Sequence, residues 1–292
     1  MKKVLLFLFL LGIQFSSISC TKDSISEPIG NDPLKEEKLM DLSFGNNPQQ
    51  LYDLYLPANR SALKTKIIIL VHGGRYTKGD KKQMRFFVRH LQENNPDHAI
   101  VNMNYVLADS VTPAFPNQIL DIGRVIDELT SKKDEFQIHP EFALVGTSSG
   151  AHLAMMYAYV YDTDKRVKAI ADIVGPTDFT DPFFSNRQKI KDLFDVLVDK
   201  GAYPPDTDYF EALSPALYVT STTSPTVLFY GDADPTVPLS NAITLKSALD
   251  QAEVENEYFI YNGGHFNWEP EDREDVLLKT SAFIDMHLKI DH

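Results

Sequence analysis

The stretch Gly146-Thr147-Ser148-Ser149-Gly150 sets a serine between two glycines at two-residue spacing, flanked by the apolar runs FALV and LAMMYAYV. A serine on a tight strand-to-helix turn adopts unfavourable backbone angles, and the two elements pass so closely that the flanking positions must be small. It then stands at the start of the following helix, where the dipole favours the negative charge that develops in acyl transfer. The spacing therefore predicts Ser148 on a nucleophile turn, with the backbone N–H of Ser149 pointing the same way.

Three further groups follow the order this chemistry needs. HGGR (72–75) brings Gly73 and Gly74 to the end of an apolar run, where their N–H groups can complete an oxyanion hole with Ser149. GDADPTVP (231–238) offers Asp232 and Asp234, either of which could hold an imidazole in one tautomer and stabilise its protonated form. GGHFN (263–267) places His265 among small neighbours that let it reach toward Ser148. Serine, acid and histidine, in that chain order, are the sequence arrangement of a serine hydrolase.

The elements that must position these groups alternate between strand and helix. IIILVHGG (67–74), AIVNMNY (99–105), EFALVG (141–146), VKAIADIVG (167–175), TVLFYGD (226–232) and NEYFIYNGG (256–264) read as mostly buried parallel strands. Segments 80–94, 115–133, 149–162, 239–252 and 271–289 carry helical periodicity between them. This implies an α/β fold with a doubly wound sheet and a site at the carboxyl ends of its strands. LSFGNNPQQLYDLYLP (42–57) reads as an antiparallel hairpin at one edge, and 178–224 as a small helical excursion over the active face.

Residues 1–19 read as an export signal: a basic MKK, then an apolar run too short to span a bilayer, ending before Cys20. Cys20 is the single cysteine of the chain, so it forms no internal disulfide, and the stretch resembles a bacterial lipoprotein signal. The resemblance implies lipidation of Cys20 and an exported cell-envelope protein that meets the membrane only through that anchor. Polar residues 20–39 are expected as a flexible tether and 40–292 as the catalytic domain. A formal charge of −13 excludes bulk electrostatic attraction to nucleic acid or anionic lipid.

Taken together, LYDLYLP, HGGRYTKGDK, NYVLADSVTPAFPNQILDI, GTSSGAHLA, GPTDF, SPALYV, GDADPTVP and GGHFNW resemble the α/β-hydrolase esterases related to hormone-sensitive lipase and the compact feruloyl and acetyl esterases. The resemblance runs from about Gln50 to the C-terminus. It implies Ser148 as nucleophile, His265 as general base and acid, and Asp234 as the third member, leaving Asp232 to a turn. Arg75 stands where the family usually has a third glycine, and Tyr76 where a tryptophan is common. The activity implied is cleavage of carboxylic esters through an acyl-enzyme, and the exported location favours acetyl or feruloyl esters of glycans.

Arg75, Tyr76, Phe266 and Trp268 are expected to rim the substrate pocket, with little apolar wall for a long acyl chain. A greasy lid built from 178–224, where LFDVLV lies, is the alternative. His152 and His72 read as structural residues. No metal-ligand spacing, P-loop or dinucleotide fingerprint occurs, so no metal or cofactor is implied. Two other readings share the fold: a prolyl-oligopeptidase-like serine peptidase, and a silent binding protein, which would usually lack a triad member. Oligomeric state is not legible.

Overall fold

The computed structural model describes residues 34–290. Residues 1–19, Cys20 and most of the expected tether lie outside them. The eight strands are β1 (Glu37–Ser43), β2 (Leu51–Leu56), β3 (Ile67–Val71), β4 (Ala99–Met103), β5 (Phe142–Thr147), β6 (Val167–Ile173), β7 (Thr226–Gly231) and β8 (Asn256–Tyr261). They form one sheet in the order β1-β2-β4-β3-β5-β6-β7-β8. The β1–β2 and β2–β4 pairs are antiparallel and every other pair is parallel.

The described helices are α1 (Arg85–Asn94), α2 (Asn117–Ser131), α3 (Lys133–Phe136), α4 (Ser149–Met156), α5 (Pro182–Ser185), α6 (Gln188–Leu197), α7 (Tyr209–Ala212), α8 (Leu239–Gln251) and α9 (Pro270–His287). Strands buried on both faces need apolar residues at consecutive positions, and β3, IIILV, is buried throughout. Ile67, Ile69 and Val71 enter the core shared with α2, α4 and α8, whereas Ile68 and Leu70 enter the core shared with α1 and α9. In α2, Ile119, Ile122, Val125, Ile126 and Leu129 recur at helical spacing and are all buried.

The edge strand begins earlier than expected. β1 starts at Glu37, inside the stretch assigned to the tether, because Leu39 and Leu42 pair with Leu54 and Tyr52 of β2. A register shift between Leu39 and Leu42, where Asp41 takes a φ of 54°, breaks the alternation that would mark a strand in the sequence. Residues 178–224 form α5, α6, α7 and short 3₁₀ turns, tied down where Phe115 N–H donates to Leu197 O and Asp199 N–H donates to Phe115 O.

Candidate active site

Ser148 sits on the one-residue turn between β5 and α4 with φ 52° and ψ −123°, a conformation a serine adopts only under constraint. The constraint is close approach. A Cβ on Gly146 would lie 2.3 Å from the Ala151 Cα, and one on Gly150 would lie 2.3 Å from Val71 O, so both flanking glycines are sterically required. Ser148 N–H donates to Ile173 O at 2.8 Å, which fastens the turn to β6.

Two loops from later strands meet this serine. The Ser148 hydroxyl and His265 Nε2 are 2.8 Å apart, and His265 Nδ1 lies 2.7 Å from Asp234 Oδ2. Because the carboxylate accepts from Nδ1–H, Nε2 is left as the acceptor for the serine proton. The Asp234 carboxylate also accepts from the backbone N–H groups of Thr236 and Val237, so its side chain is fixed in a turn and fully buried. Asp232 does different work: exposed, it accepts from Gly263 N–H at 2.9 Å and joins the acid loop to the histidine loop. The pair left open by residue type is thus separated by position.

The loop after β3 brings Gly73 against the turn, since a Cβ there would lie 3.2 Å from the Ser148 Cβ. The backbone N–H groups of Gly73, Gly74 and Ser149 donate to no other described residue. Tyr105 and Gln118 hold this loop: the tyrosine hydroxyl donates to His72 O, and the buried Gln118 amide donates to Tyr76 O and Val106 O. Lys81 in turn pairs with Asp41 and Asp53 and stays buried. Sequence reading missed these supports. Their signal was present in HGGRYTKGDK and YVLADSVTPAFPNQ, but residue type alone does not reveal a partner 12 to 42 positions away.

Arg75 and Tyr76 line a cavity of about 280 Å³ together with Ser148 and Ser149. Phe266 and Trp268 do not. Phe266 stacks near Phe86, and the Trp268 indole is buried against Tyr261 while its N–H donates to Gly264 O. Both belong to the core on the opposite face of the sheet, where Trp268 shapes the histidine loop from behind. The expected aromatic rim is therefore replaced by the insertion, whose Phe179, Phe183, Phe184, Ile190, Leu193 and Phe194 form the apolar wall. Phe194 stacks on Phe210 at 4.5 Å, so α6 is braced by α7.

His72 and His152 are buried, as their neighbours imply. His72 contacts Gly73 O through Nδ1 and stacks on Tyr105, and burial lowers its pKa. His152 donates from Nε2 to Leu213 O among the rings of Tyr76, Phe115 and Phe179, and burial pushes its pKa down to about 4. Neither imidazole hydrogen-bonds to Ser148 among the described residues. Among those residues, too, no helix is long and apolar enough to cross a membrane.

This architecture is the α/β-hydrolase fold. The BD-FAE family model matches residues 52–249. The chain is 22% identical to Esterase LipC of Mycobacterium tuberculosis over 68% of its length and 52% of that protein's. It is 24% identical to the isoprenylcysteine alpha-carbonyl methylesterase ICME of Arabidopsis thaliana, over 75% of this chain and 54% of the plant protein. The chain thus spans about half the length of these curated relatives. A truncated carbohydrate esterase from gut microbiota superposes with a TM-score of 0.68 at 21% identity, covering 84% of this chain and 96% of that one.

Proposed function

The chain belongs to the BD-FAE family, and from that premise we propose that it is a serine hydrolase of carboxylic esters. The observation that carries this reading is the continuous hydrogen-bonded series Ser148–His265–Asp234 beside three unengaged backbone donors. His265 Nε2 takes the hydroxyl proton as Ser148 Oγ attacks the ester carbonyl. The resulting oxyanion is held by the N–H groups of Gly73, Gly74 and Ser149. His265 then protonates the departing alcohol, leaving an acyl-serine; water, deprotonated by the same imidazole, releases the acid and restores the serine. Asp234 holds the imidazole with its proton on Nδ1 and stabilises the cation formed in each half-reaction.

A short acyl group fits the cavity, whose 280 Å³ is near the lower end of ligand pockets, about 300 Å³ upward. Its chain would lie along Ile190, Leu193 and Phe194, gaining about 0.8 kcal/mol per buried methylene until the wall ends. The esterase relatives support carboxylic esters as substrates and the carbohydrate esterase neighbour supports esters of glycans among them, for which the sequence resemblance suggests acetyl or feruloyl groups. Cys20 and the apolar run before it support action at the cell envelope on a lipid anchor. The test is kcat/KM for p-nitrophenyl esters from acetate upward. A maximum at butyrate or shorter, with a steep decline past about eight carbons, supports the reading; a maximum at decanoate or longer makes the protein a lipase, and absence of turnover on every ester overturns the proposal.

A further inference from the structure

The cavity over Ser148 is apolar in its wall but one-sided in its charge. Its charged lining residues are Arg75, from the loop after β3, and Arg187, from the turn before α6; no aspartate or glutamate lines it. Both arginines are exposed, and neither guanidinium has a carboxylate partner among the described residues. This is unusual company in a chain with a formal charge of −13, where acidic residues outnumber basic ones 41 to 28. The Arg187 guanidinium lies 3.5 Å over the Phe183 ring. Face-on stacking of this kind uses the π-face of the guanidinium and leaves its in-plane N–H donors to other partners. Tyr76, 94% buried and lining the same cavity, has a hydroxyl with no hydrogen-bond partner. The polar side chains lining the cavity are thus two cations and the hydroxyls of Tyr76, Ser148, Ser149 and Thr236, without a carboxylate to repel an anion.

We propose that the preferred ester carries a carboxylate, on its acyl or its alcohol part, held by Arg75 and Arg187 at the mouth of the apolar pocket. This rests on the ester-hydrolase reading and narrows its substrate class. A few methylenes along Ile190 and Leu193 followed by a carboxylate at Arg187 match the order of apolar wall and cationic rim. An acidic group on the leaving alcohol would use the same two donors from the other side of the scissile bond. In either case the guanidinium fork suits a planar carboxylate, to which it can donate two parallel hydrogen bonds.

Two matched pairs of esters separate the sources. p-Nitrophenyl hemisuccinate against p-nitrophenyl butyrate places the charge on the acyl side; 4-acetoxybenzoate against its methyl ester places it on the alcohol side. The readout is the anionic-to-neutral ratio of kcat/KM in the wild type, in Arg75→Gln and in Arg187→Gln, which cancels the intrinsic reactivity of each ester. For at least one pair, each substitution is expected to lower the ratio about tenfold, the weight of one charge-assisted hydrogen bond. Raising KCl should lower the wild-type ratio for the same pair by screening the attraction. A ratio unchanged in both variants for both pairs overturns the carboxylate proposal while neutral-ester turnover leaves the hydrolase standing. Failure of the wild type on all four esters overturns the hydrolase reading, and this proposal with it.

Discussion

The loops that carry Ser148, Asp234 and His265 and the insertion that walls the pocket stand over the same edge of the sheet, yet they are built on different principles. Each triad loop leaves the carboxyl end of a parallel strand and is short, so a few local requirements fix it. Gly146 and Gly150 have no room for a Cβ, Asp234 accepts two N–H groups of its own turn, and Trp268 with Asn267 ties down the histidine loop. The insertion instead takes its shape from distant contacts. Phe115 bridges to Val198, Leu213 O meets His152, and Phe194 stacks on Phe210. The proposed triad is placed by the sheet, and the wall of the cavity by the excursion.

The sharpest way to break this division is at the two aspartates of one loop. Asp234→Asn removes the acceptor that sets the imidazole tautomer and should lower kcat about 10⁴-fold. Asp232→Asn touches only the Gly263 N–H bond and is expected to cost less than about tenfold, within the worth of one exposed hydrogen bond. Steady-state kinetics on butyrate ester distinguishes them, and equal losses would place the acid assignment and the turn assignment in one unit.

A smaller effect probes the wall. Leu193→Trp adds bulk where the acyl chain would lie, and should reduce kcat/KM for hexanoate about tenfold or more relative to acetate, since single methylenes in such pockets discriminate by that order. If acetate and hexanoate fall together, the insertion shapes the catalytic loops and not the acyl site.

These two experiments fall on either side of what the sequence could show. The turn around Ser148, the histidine loop and the parallel strands were legible because each is specified by neighbours within a few residues. Asp234 was separable from Asp232 only through resemblance, since residue type is the same at both. Phe266 and Trp268 were misread as pocket residues: aromatic side chains next to a catalytic histidine point to either face of the sheet, and Gly263 with φ 135° and Phe266 with φ 61° turn these to the back. The wall of α5 and α6 was visible as apolar residues, but which of them face Ser148 depends on Phe115 and Leu213, far away in the chain. The first residues of β1 were not legible, because a bulge between Leu39 and Leu42 and an exposed outer face break the alternation that marks a strand.

A different kind of effect lies behind the site and is thermodynamic. Asp172 is fully buried at the end of β6, accepting from Gly175 N–H, and its other oxygen is 2.5 Å from the Tyr230 hydroxyl. That hydroxyl is also 2.5 Å from Gly175 O, so one phenol proton faces two acceptors. A protonated Asp172 resolves this by donating to Tyr230, which donates onward to Gly175 O. Burial pushes the Asp172 pKa up from 3.8 to about 7. Between these values the native state keeps a proton that the unfolded chain releases, so stability from this group is present at low pH and is lost as pH rises toward 7. Asp172→Asn, which keeps a donor and an acceptor, should gain on the order of 2 kcal/mol over the wild type between pH 5 and pH 8. Urea unfolding at the two pH values measures it, and parallel behaviour of the two proteins would show that Asp172 stays ionised in the fold.

The central claim is that Ser148 is the nucleophile, and covalent capture tests it most directly. The wild-type protein is incubated with a fluorophosphonate, and the adduct is located by peptide mass mapping while butyrate-ester turnover is followed on the same sample. The expected result is a single phosphonyl group on Ser148, loss of turnover in step with labelling, and neither labelling nor turnover in a folded Ser148→Ala protein, with Ser149→Ala still reactive. Labelling at Ser149, or full turnover by Ser148→Ala, would contradict the account.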